Sequence, residues 1–279
     1  IGPLGRSVED TLILFEAVAG HDPLDATSYR GDVPDVRRGM ADGVAGLRIG
    51  VINELAGEGI DDDVLAAFRT AVDRLREAGA VVTECSLPAV EHALSAYYLI
   101  APAECSANLA RFDGVRYGPR SEGDTVEQMM ASTRNDGFGP EVTRRILLGT
   151  YALSAGYYDA FYGQAQRVRT LVIDDFRRTY GDVDVLVSPT SPTTAFPIGA
   201  RTADPLSMYL SDICTIPLNL TGGPGISVPV GTDGGGLPIG MQIVGPELGE
   251  PAVFRVAKAV EDLVGFDAAP ALATSEGAA

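Results

Sequence analysis

The sequence predicts an α/β domain in which one mixed β-sheet is flanked by helices. An apolar run, an amphipathic segment and a second apolar run follow one another over residues 47–87. This spacing is typical of a βαβ unit with two parallel strands. Two later apolar runs, at 226–230 and 239–244, enclose the turn Asp233-Gly234-Gly235-Gly236 and indicate an antiparallel hairpin. Both pairings in one sheet, with no internal repeat or linker within residues 1–265, favour a single domain with a mixed sheet.

The first elements follow from capping residues and apolar spacing. Ser7 can cap a helix whose first turn carries acids, and Gly20 can end it. Residues 47–52 form the first predicted strand, and 81–87 form the second. Between them lies a helix that opens with three aspartates and ends at Gly79. The apolar stripe of that helix is predicted to consist of Leu65, Phe68, Val72 and Leu75.

Capping residues and apolar spacing also predict the elements in the rest of the chain. The predicted elements are helices at 90–111, near 126–132, from 140 onward and at 157–180, a buried strand at 183–188, a helix in the first part of 206–220, and a last helix at 250–264. Pro140 suits the first turn of its helix, and the helix within 206–220 is expected to end before Pro217. Residues 266–279 are small and polar, which predicts a flexible tail.

Composition excludes several classes of protein. No apolar run approaches the ~18–20 residues that cross a bilayer, and no secretory signal opens the chain. A formal net charge of −17 disfavours direct binding to nucleic acid. The three cysteines are odd in number and widely spaced, which favours a reducing compartment, and we expect a cytoplasmic location. Because the first residue is Ile1 rather than Met, a chain truncated at its N-terminus is the simplest expectation.

The residues do not contain a self-sufficient catalytic set. The two histidines, His21 and His92, have no ligand partner at metal-binding spacing, and both are expected at the surface. There is neither a phosphate-binding loop with its lysine nor a G-x-S-x-G elbow. Gly222-Gly223-Pro224-Gly225 is predicted to be a turn that lets two backbones approach closely. We therefore expect no metal and no cofactor on this chain.

Two features indicate a binding site. Arg144 and Arg145 lie together in an otherwise apolar helical stretch, and successive helical residues point about 100° apart, so one of them can turn inward. The alternative is two solvated arginines. Asp212 is a lone carboxylate among apolar neighbours, where burial is costly unless it is paired. Its alternative is a helix cap or a plain surface residue.

The chain resembles the amidase-signature family and, within it, the A subunits of glutamyl-tRNA(Gln) amidotransferases. The family resemblance includes IGPLGRSVED at the start and GLPIGMQIVG at 236–245. The subgroup resemblance rests on longer segments, at 96–101, 104–118, 144–150, 154–160, 204–209 and 215–220. The resemblance implies an amidase-signature fold and covers nearly the whole chain.

The chemistry implied by this resemblance is release of ammonia from glutamine by a Ser-(cis-Ser)-Lys triad. A neutral lysine takes a proton through the bridging serine while the second serine attacks the amide carbon. The family places all three residues before the point that matches Ile1, so no catalytic residue is assigned here. We therefore expect residues 1–265 to be the C-terminal portion of one amidase-signature domain, inactive alone.

The resemblance also implies roles in glutamine recognition. Arg145 corresponds to the arginine that holds the substrate carboxylate, Asp212 to the acid that receives the α-ammonium, and Tyr97 to a tyrosine of that pocket. The implied assembly is a heterotrimer with two other subunits, in which a partner uses ATP and Mg²⁺ and contacts the tRNA, with no membrane involved. The alternatives are part of another amidase-signature hydrolase acting on small amides, or a scaffold without activity.

Overall fold

The computed structural model describes residues 2–201 and 205–266. The predicted tail from 267 onward therefore lies outside the described residues, as does position 204 of the segment that resembles the family at 204–209. The described residues group into two compact units, one formed by the chain up to Glu91 and from Ile173 onward, the other by His92–Val172. The single domain predicted over 1–265 stays a prediction, and each unit is described by itself.

The first unit is built on a five-stranded sheet. Its strands are β1 Arg48–Ile52, β2 Val81–Cys85, β3 Val185–Pro189, β4 Gly225–Thr232 and β5 Pro238–Val244. The strand order is β2-β1-β3-β5-β4, with β1 parallel to both β2 and β3, and β5 antiparallel to both β3 and β4. The predicted mixed sheet, the parallel βαβ unit and the late hairpin are all confirmed.

Three helices of the first unit pack on one face of this sheet. They are α1 Val8–Val18, α2 Asp62–Glu77 and α9 Glu250–Val264. Alternate residues of the strands, such as Val185 and Val187 of β3, share a core with the apolar stripes of these helices. Ser7 caps α1 as predicted, since its side chain accepts from the backbone N–H of Asp10. In α2 the fully buried position is Val64, whereas Leu65 is only half-buried, so the predicted stripe is displaced by one residue at its start.

The second unit is helical. It contains α3 Ala93–Leu109, α4 Val126–Gly137 and α5 Pro140–Leu153, and the unit boundary falls within α6 Gln164–Thr179. The helix predicted over 157–180 starts with a π-helical turn at Asp159–Gly163, which leads into α6. In this turn the N–H of Gly163 donates to the carbonyl of Tyr158, five residues earlier. This wider turn has no signature in apolar spacing, which explains why the sequence predicted a continuous helix.

The segment after β3 carries two short helices of the first unit, α7 Pro205–Leu210 and α8 Ile216–Thr221. Because α7 ends at Leu210, the helix predicted in the first part of 206–220 does end before Pro217, but a second helix that was not predicted, α8, begins at Ile216 and holds this proline in its first turn. Proline is tolerated there, since the first N–H groups of a helix have no intrahelical acceptor. Gly222 ends α8 with φ of 77°, and a Cβ at Gly223 would lie 2.5 Å from the carbonyl oxygen of Gly245. The predicted close-approach turn is confirmed.

Candidate functional site

Arg145 lies on α5, one helical turn after an acid that binds it. Pro140 opens this helix, and Glu141 stands in its first turn. The Nε of Arg145 donates to Oε1 of Glu141 at 2.8 Å, and Arg144 pairs with the other oxygen, Oε2, of the same carboxylate. Spacings of three and four residues put both arginines within reach of Glu141, although they point in different directions. The arginines are therefore bound to a common acid rather than simply solvated.

The two arginines differ in environment. The side chain of Arg145 is 31% exposed and that of Arg144 is 44% exposed. Hydrogen bonding to Glu141 raises the pKa of the Arg145 guanidinium above its ordinary value, and the side chain of Tyr97 adds to that shift. Hydrogen bonds from Arg145, and to a smaller extent from Arg144, hold the pKa of the Glu141 carboxyl below its ordinary value. Arg145 is thus the more covered of the pair and the one that meets Tyr97.

The packing of α3 beside α5 explains the meeting of Tyr97 with Arg145. Ser106 and Thr150 share a hydrogen bond of 2.8 Å near the ends of these helices, while Tyr97 and Arg145 meet nearer their starts. The helices therefore run side by side in the same direction. They approach closely at Gly149, where a Cβ would lie only 1.9 Å from the carbonyl oxygen of Pro102.

A second polar cluster ties α3 to the π-helical turn. The hydroxyl of Tyr162 donates to Glu104 at 2.7 Å and accepts from the side-chain amide of Gln166 at 2.9 Å. Glu104 follows Tyr97 by seven residues, so both lie on one face of α3. Tyr162 could not be singled out from the sequence, because its partner is 58 positions away and its turn was not predicted. The hydrogen bond between Tyr162 and Glu104 holds the π-helical turn beside the face of α3 that carries Tyr97.

Asp212 lies in the first unit, in the turn that joins α7 to α8. Its side chain is exposed, while its main-chain carbonyl accepts from the N–H groups of Thr215 and Ile216, each at 3.0 Å. Of the two alternatives that the sequence left open for Asp212, the structure shows a surface residue, because the turn presents its side chain to solvent. An exposed carboxylate with a fixed backbone is available to a cationic ligand without the cost of burying it first.

The turn that carries Asp212 is anchored on both sides. The side-chain amide of Gln242, on β5, donates to the carbonyl of Cys214 at 3.0 Å and to the hydroxyl of Ser188 at 3.2 Å. On the other side, Arg201 donates to the hydroxyl of Ser211 and to that of Thr193, the latter at 3.0 Å. These contacts hold the backbone on either side of Asp212.

The structure therefore brings together two of the three residues singled out by sequence, Tyr97 and Arg145, within the second unit. Asp212 belongs to the first unit and is described there alone. Glu141 and Gln242 were not predicted from the sequence. The spacing of Glu141 before two arginines was a usable signal. The sequence signal for Gln242 was weaker, since it is only a polar residue in an otherwise apolar strand.

The two histidines, both among the described residues, lie at the surface. His21 is exposed and contacts the hydroxyl of Ser28, and His92 is exposed at the start of α3. Within residues 2–201 and 205–266, no cluster of histidine, cysteine, aspartate or glutamate could hold a metal ion. In the same part of the chain, no helix has the length and apolar character needed to cross a membrane.

Comparison with known proteins gives one consistent result. A model of the Amidase family matches residues 1–254. The A subunit of glutamyl-tRNA(Gln) amidotransferase from Salinispora arenicola is 57% identical over 278 residues, which cover 97% of this chain and 56% of that protein. The protein of the same name from Microcystis aeruginosa is 56% identical over 261 residues, covering 94% and 54%. The chain thus spans about half the length of these curated relatives.

Solved structures agree with the sequence relatives. The crystal structure of the glutamyl-tRNA(Gln) amidotransferase A subunit from Thermotoga maritima has a TM-score of 0.74 at 37% identity, covering 94% of this chain and 52% of that one. A bacterial aryl acylamidase of the amidase signature family has a TM-score of 0.72 at 22% identity, with 95% and 54% covered, a likeness of fold alone. The predicted amidase-signature fold is confirmed.

Proposed function

The chain belongs to the amidase family, and from that premise we propose that it forms part of the glutamine-hydrolysing component of a glutamyl-tRNA(Gln) amidotransferase. The observation that carries the proposal is its similarity to the Salinispora protein along nearly the whole chain. Ammonia released from glutamine would convert Glu-tRNA(Gln) to Gln-tRNA(Gln). This reaction belongs to the complete protein, of which the chain spans about half.

The bond-breaking residues, in this proposal, are the two serines and the lysine that the resemblance implies, and they come from a segment outside this sequence. The second serine attacks the amide carbon of glutamine, and ammonia leaves as the acyl-enzyme forms. Water then releases glutamate. This chain contributes substrate recognition rather than the nucleophile.

Glutamine recognition is proposed for Arg145, Asp212 and Tyr97. Free glutamine carries a carboxylate and an ammonium on one carbon, so opposite protein charges are needed to fix its orientation. The planar guanidinium of Arg145 suits a carboxylate, which it can bind through two parallel hydrogen bonds. The exposed carboxylate of Asp212 suits the ammonium. The side chain of Tyr97 meets the same guanidinium and would line the carboxylate end of the site.

The remaining chemistry is proposed for partner subunits in the cytoplasm. Activation of glutamyl-tRNA requires ATP and Mg²⁺, which we assign to one of two partner subunits in a heterotrimer. The formal net charge of −17 on this chain supports that division, because a surface of this sign repels the tRNA backbone. The tRNA would then reach the glutamine-hydrolysing component only through its partner.

The test is reconstitution of the complete protein with its two partner subunits. We expect glutamine-dependent formation of Gln-tRNA(Gln) in the presence of ATP and Mg²⁺, and no glutamine hydrolysis by residues 1–279 alone above a mock preparation. Absence of amidation together with hydrolysis of simple aliphatic amides would favour a different amidase. Absence of both activities would favour a scaffold.

A further inference from the structure

We infer that Glu141 is a positioning residue for Arg145, holding its guanidinium so that the terminal nitrogens face the carboxylate of glutamine. The inference rests on the proposed function, and it assigns a role to a residue that neither the sequence nor the resemblance singled out. Glu141 does not touch the substrate in this scheme. It acts through Arg145.

The first support is the geometry of the hydrogen bond between Arg145 and Glu141. Glu141 Oε1 accepts from Nε of Arg145 at 2.8 Å. Of the five N–H donors of a guanidinium, four are on the two terminal nitrogens, and the bond through Nε leaves those four to other partners. The carboxylate of Glu141 at Nε therefore fixes the plane of the guanidinium. The two terminal nitrogens can still donate two parallel hydrogen bonds to a substrate carboxylate.

The second support is the net charge of Glu141 and the two arginines that it binds. A lone glutamate beside Arg145 would repel an incoming carboxylate. Here the second oxygen of Glu141 is paired with Arg144, so the three side chains carry two positive charges and one negative, a sum of +1. The cluster stays attractive to an anion even though one carboxylate is used to orient Arg145.

A third support is a contact from the neighbouring helix, α3. The side chain of Tyr97, on α3, meets the guanidinium that Glu141 holds from α5. Contacts from two helices restrict a side chain that is otherwise long and mobile, so less rotational freedom is lost when a ligand binds. An exposed i,i+4 pair contributes little to fold stability. The consequence of losing Glu141 is therefore expected in substrate binding rather than in folding.

The experiment uses the complete amidotransferase and compares glutamine with ammonium as the nitrogen donor. Glu141→Ala is expected to raise KM for glutamine about tenfold while kcat stays within about twofold. Ammonium-dependent amidation and the thermal unfolding midpoint are expected to stay unchanged. Glu141→Gln keeps an acceptor for Nε and is expected to recover part of the loss.

The matched control is Glu127→Ala. Glu127 is the second residue of α4, as Glu141 is the second residue of α5, and it is likewise exposed in the first turn of its helix. KM for glutamine is expected to be unchanged in this variant. A tenfold rise in both variants would overturn the inference, because it would trace the effect to a general loss of acid at a helix start.

A double substitution separates positioning from a merely structural effect. If Glu141 acts through Arg145, adding Glu141→Ala to Arg145→Ala is expected to cost nothing further. Fully additive losses, or an unchanged KM in Glu141→Ala within an active complex, would overturn the inference and leave the proposed function standing. A complete complex without any glutamine-dependent amidation would instead overturn the proposed function, and this inference with it.

Discussion

The side-chain amide of Gln242 donates a hydrogen bond of 3.0 Å to the main-chain carbonyl of Cys214. Gln242 alternates along β5 with Met241 and Ile243, which point into the helix-covered core, so it faces the opposite side of the sheet. There it reaches a carbonyl two residues after Asp212. One polar side chain of an internal strand thus anchors the turn that presents the proposed ammonium ligand.

Replacing Gln242 is expected to weaken this anchor. The residue is 5% exposed, and Gln242→Leu leaves the carbonyl of Cys214 and the hydroxyl of Ser188 without that donor in a buried place. We expect the free energy of unfolding to fall by about 1–3 kcal/mol. Urea denaturation measures the change, and the exposed Gln164→Leu, expected to stay within about 0.5 kcal/mol, is the control. Equal stability of both variants would contradict the anchoring role.

Gly149 is expected to tolerate no side chain. A Cβ there would lie 1.9 Å from the carbonyl oxygen of Pro102, so Gly149→Ala must push α3 and α5 apart. We expect a loss of about 1–3 kcal/mol, although alanine favours a helix more than glycine does. Gly137→Ala, at the end of α4 with no atom within 4 Å of its Cβ, is expected to be neutral or mildly stabilising. Thermal unfolding that ranks the two variants the other way would refute this packing.

The ion pair of Asp184 with Arg48 is expected to make stability depend on pH. Asp184, just before β3, accepts from Arg48 at 2.6 Å across two parallel strands, and that hydrogen bond lowers the pKa of its carboxyl. A lowered folded-state pKa contributes stability above the ordinary value, and this contribution is lost as pH falls through the folded-state value. Asp184→Asn is therefore expected to cost about 0.5–1 kcal/mol above about pH 5, and progressively less as the pH falls below the ordinary pKa of an aspartate. Denaturation at a series of pH values measures the difference in unfolding free energy between Asp184→Asn and the unsubstituted protein. A difference that does not change with pH would contradict the role of this ion pair.

Cys214 is expected to resist alkylation in the folded protein. Its side chain is 0% exposed, and burial raises the pKa of its thiol to about 12. At pH 8 only ~1 in 10⁴ of such thiols is ionised, and the thiolate is the reactive form. Mass spectrometry after iodoacetamide treatment is expected to find Cys105, which is half-buried, labelled well before Cys214. In denaturant both are expected to react at similar rates, whereas equal rates in the folded protein would contradict the burial of Cys214.

Most of the sheet was predictable from local pattern alone. The strands predicted at 47–52 and 239–244 lie within one residue of β1 and β5, because a short, mostly apolar run next to a glycine or proline leaves few alternatives. The displacement from Leu65 to Val64 shows where local pattern fails. Both residues are apolar, and only the tertiary packing of the first turn of α2 decides which one is buried.

The site was predictable only in part, for a different physical reason. Arg145 and Tyr97 were identified by resemblance, and their meeting depends on the alignment of α3 with α5, which no periodicity encodes. The π-helical turn that bears Tyr162 depends on i→i+5 hydrogen bonding, as between Gly163 and Tyr158, which apolar spacing does not encode. Gln242 and Cys214 are 28 positions apart, and long-range hydrogen bonds of this kind leave no trace in sequence spacing.

The proposed recognition of free glutamine by this chain is tested most directly at Asp212. In the reconstituted complex, Asp212→Asn keeps the size of the side chain and removes its charge. Loss of one partner of a charge pair with the substrate ammonium is expected to lower kcat/KM for glutamine at least about 30-fold. Ammonium-dependent amidation bypasses glutamine and is expected to be retained. Asp32→Asn, an exposed aspartate of the same unit, is the control.

The measurement is therefore the ratio of glutamine-dependent to ammonium-dependent formation of Gln-tRNA(Gln) in Asp212→Asn, relative to the unsubstituted complex. We expect this ratio to fall at least about 30-fold in Asp212→Asn and to stay unchanged in Asp32→Asn. An unchanged ratio, or an equal loss with both nitrogen donors, would contradict the assignment of glutamine recognition to this chain.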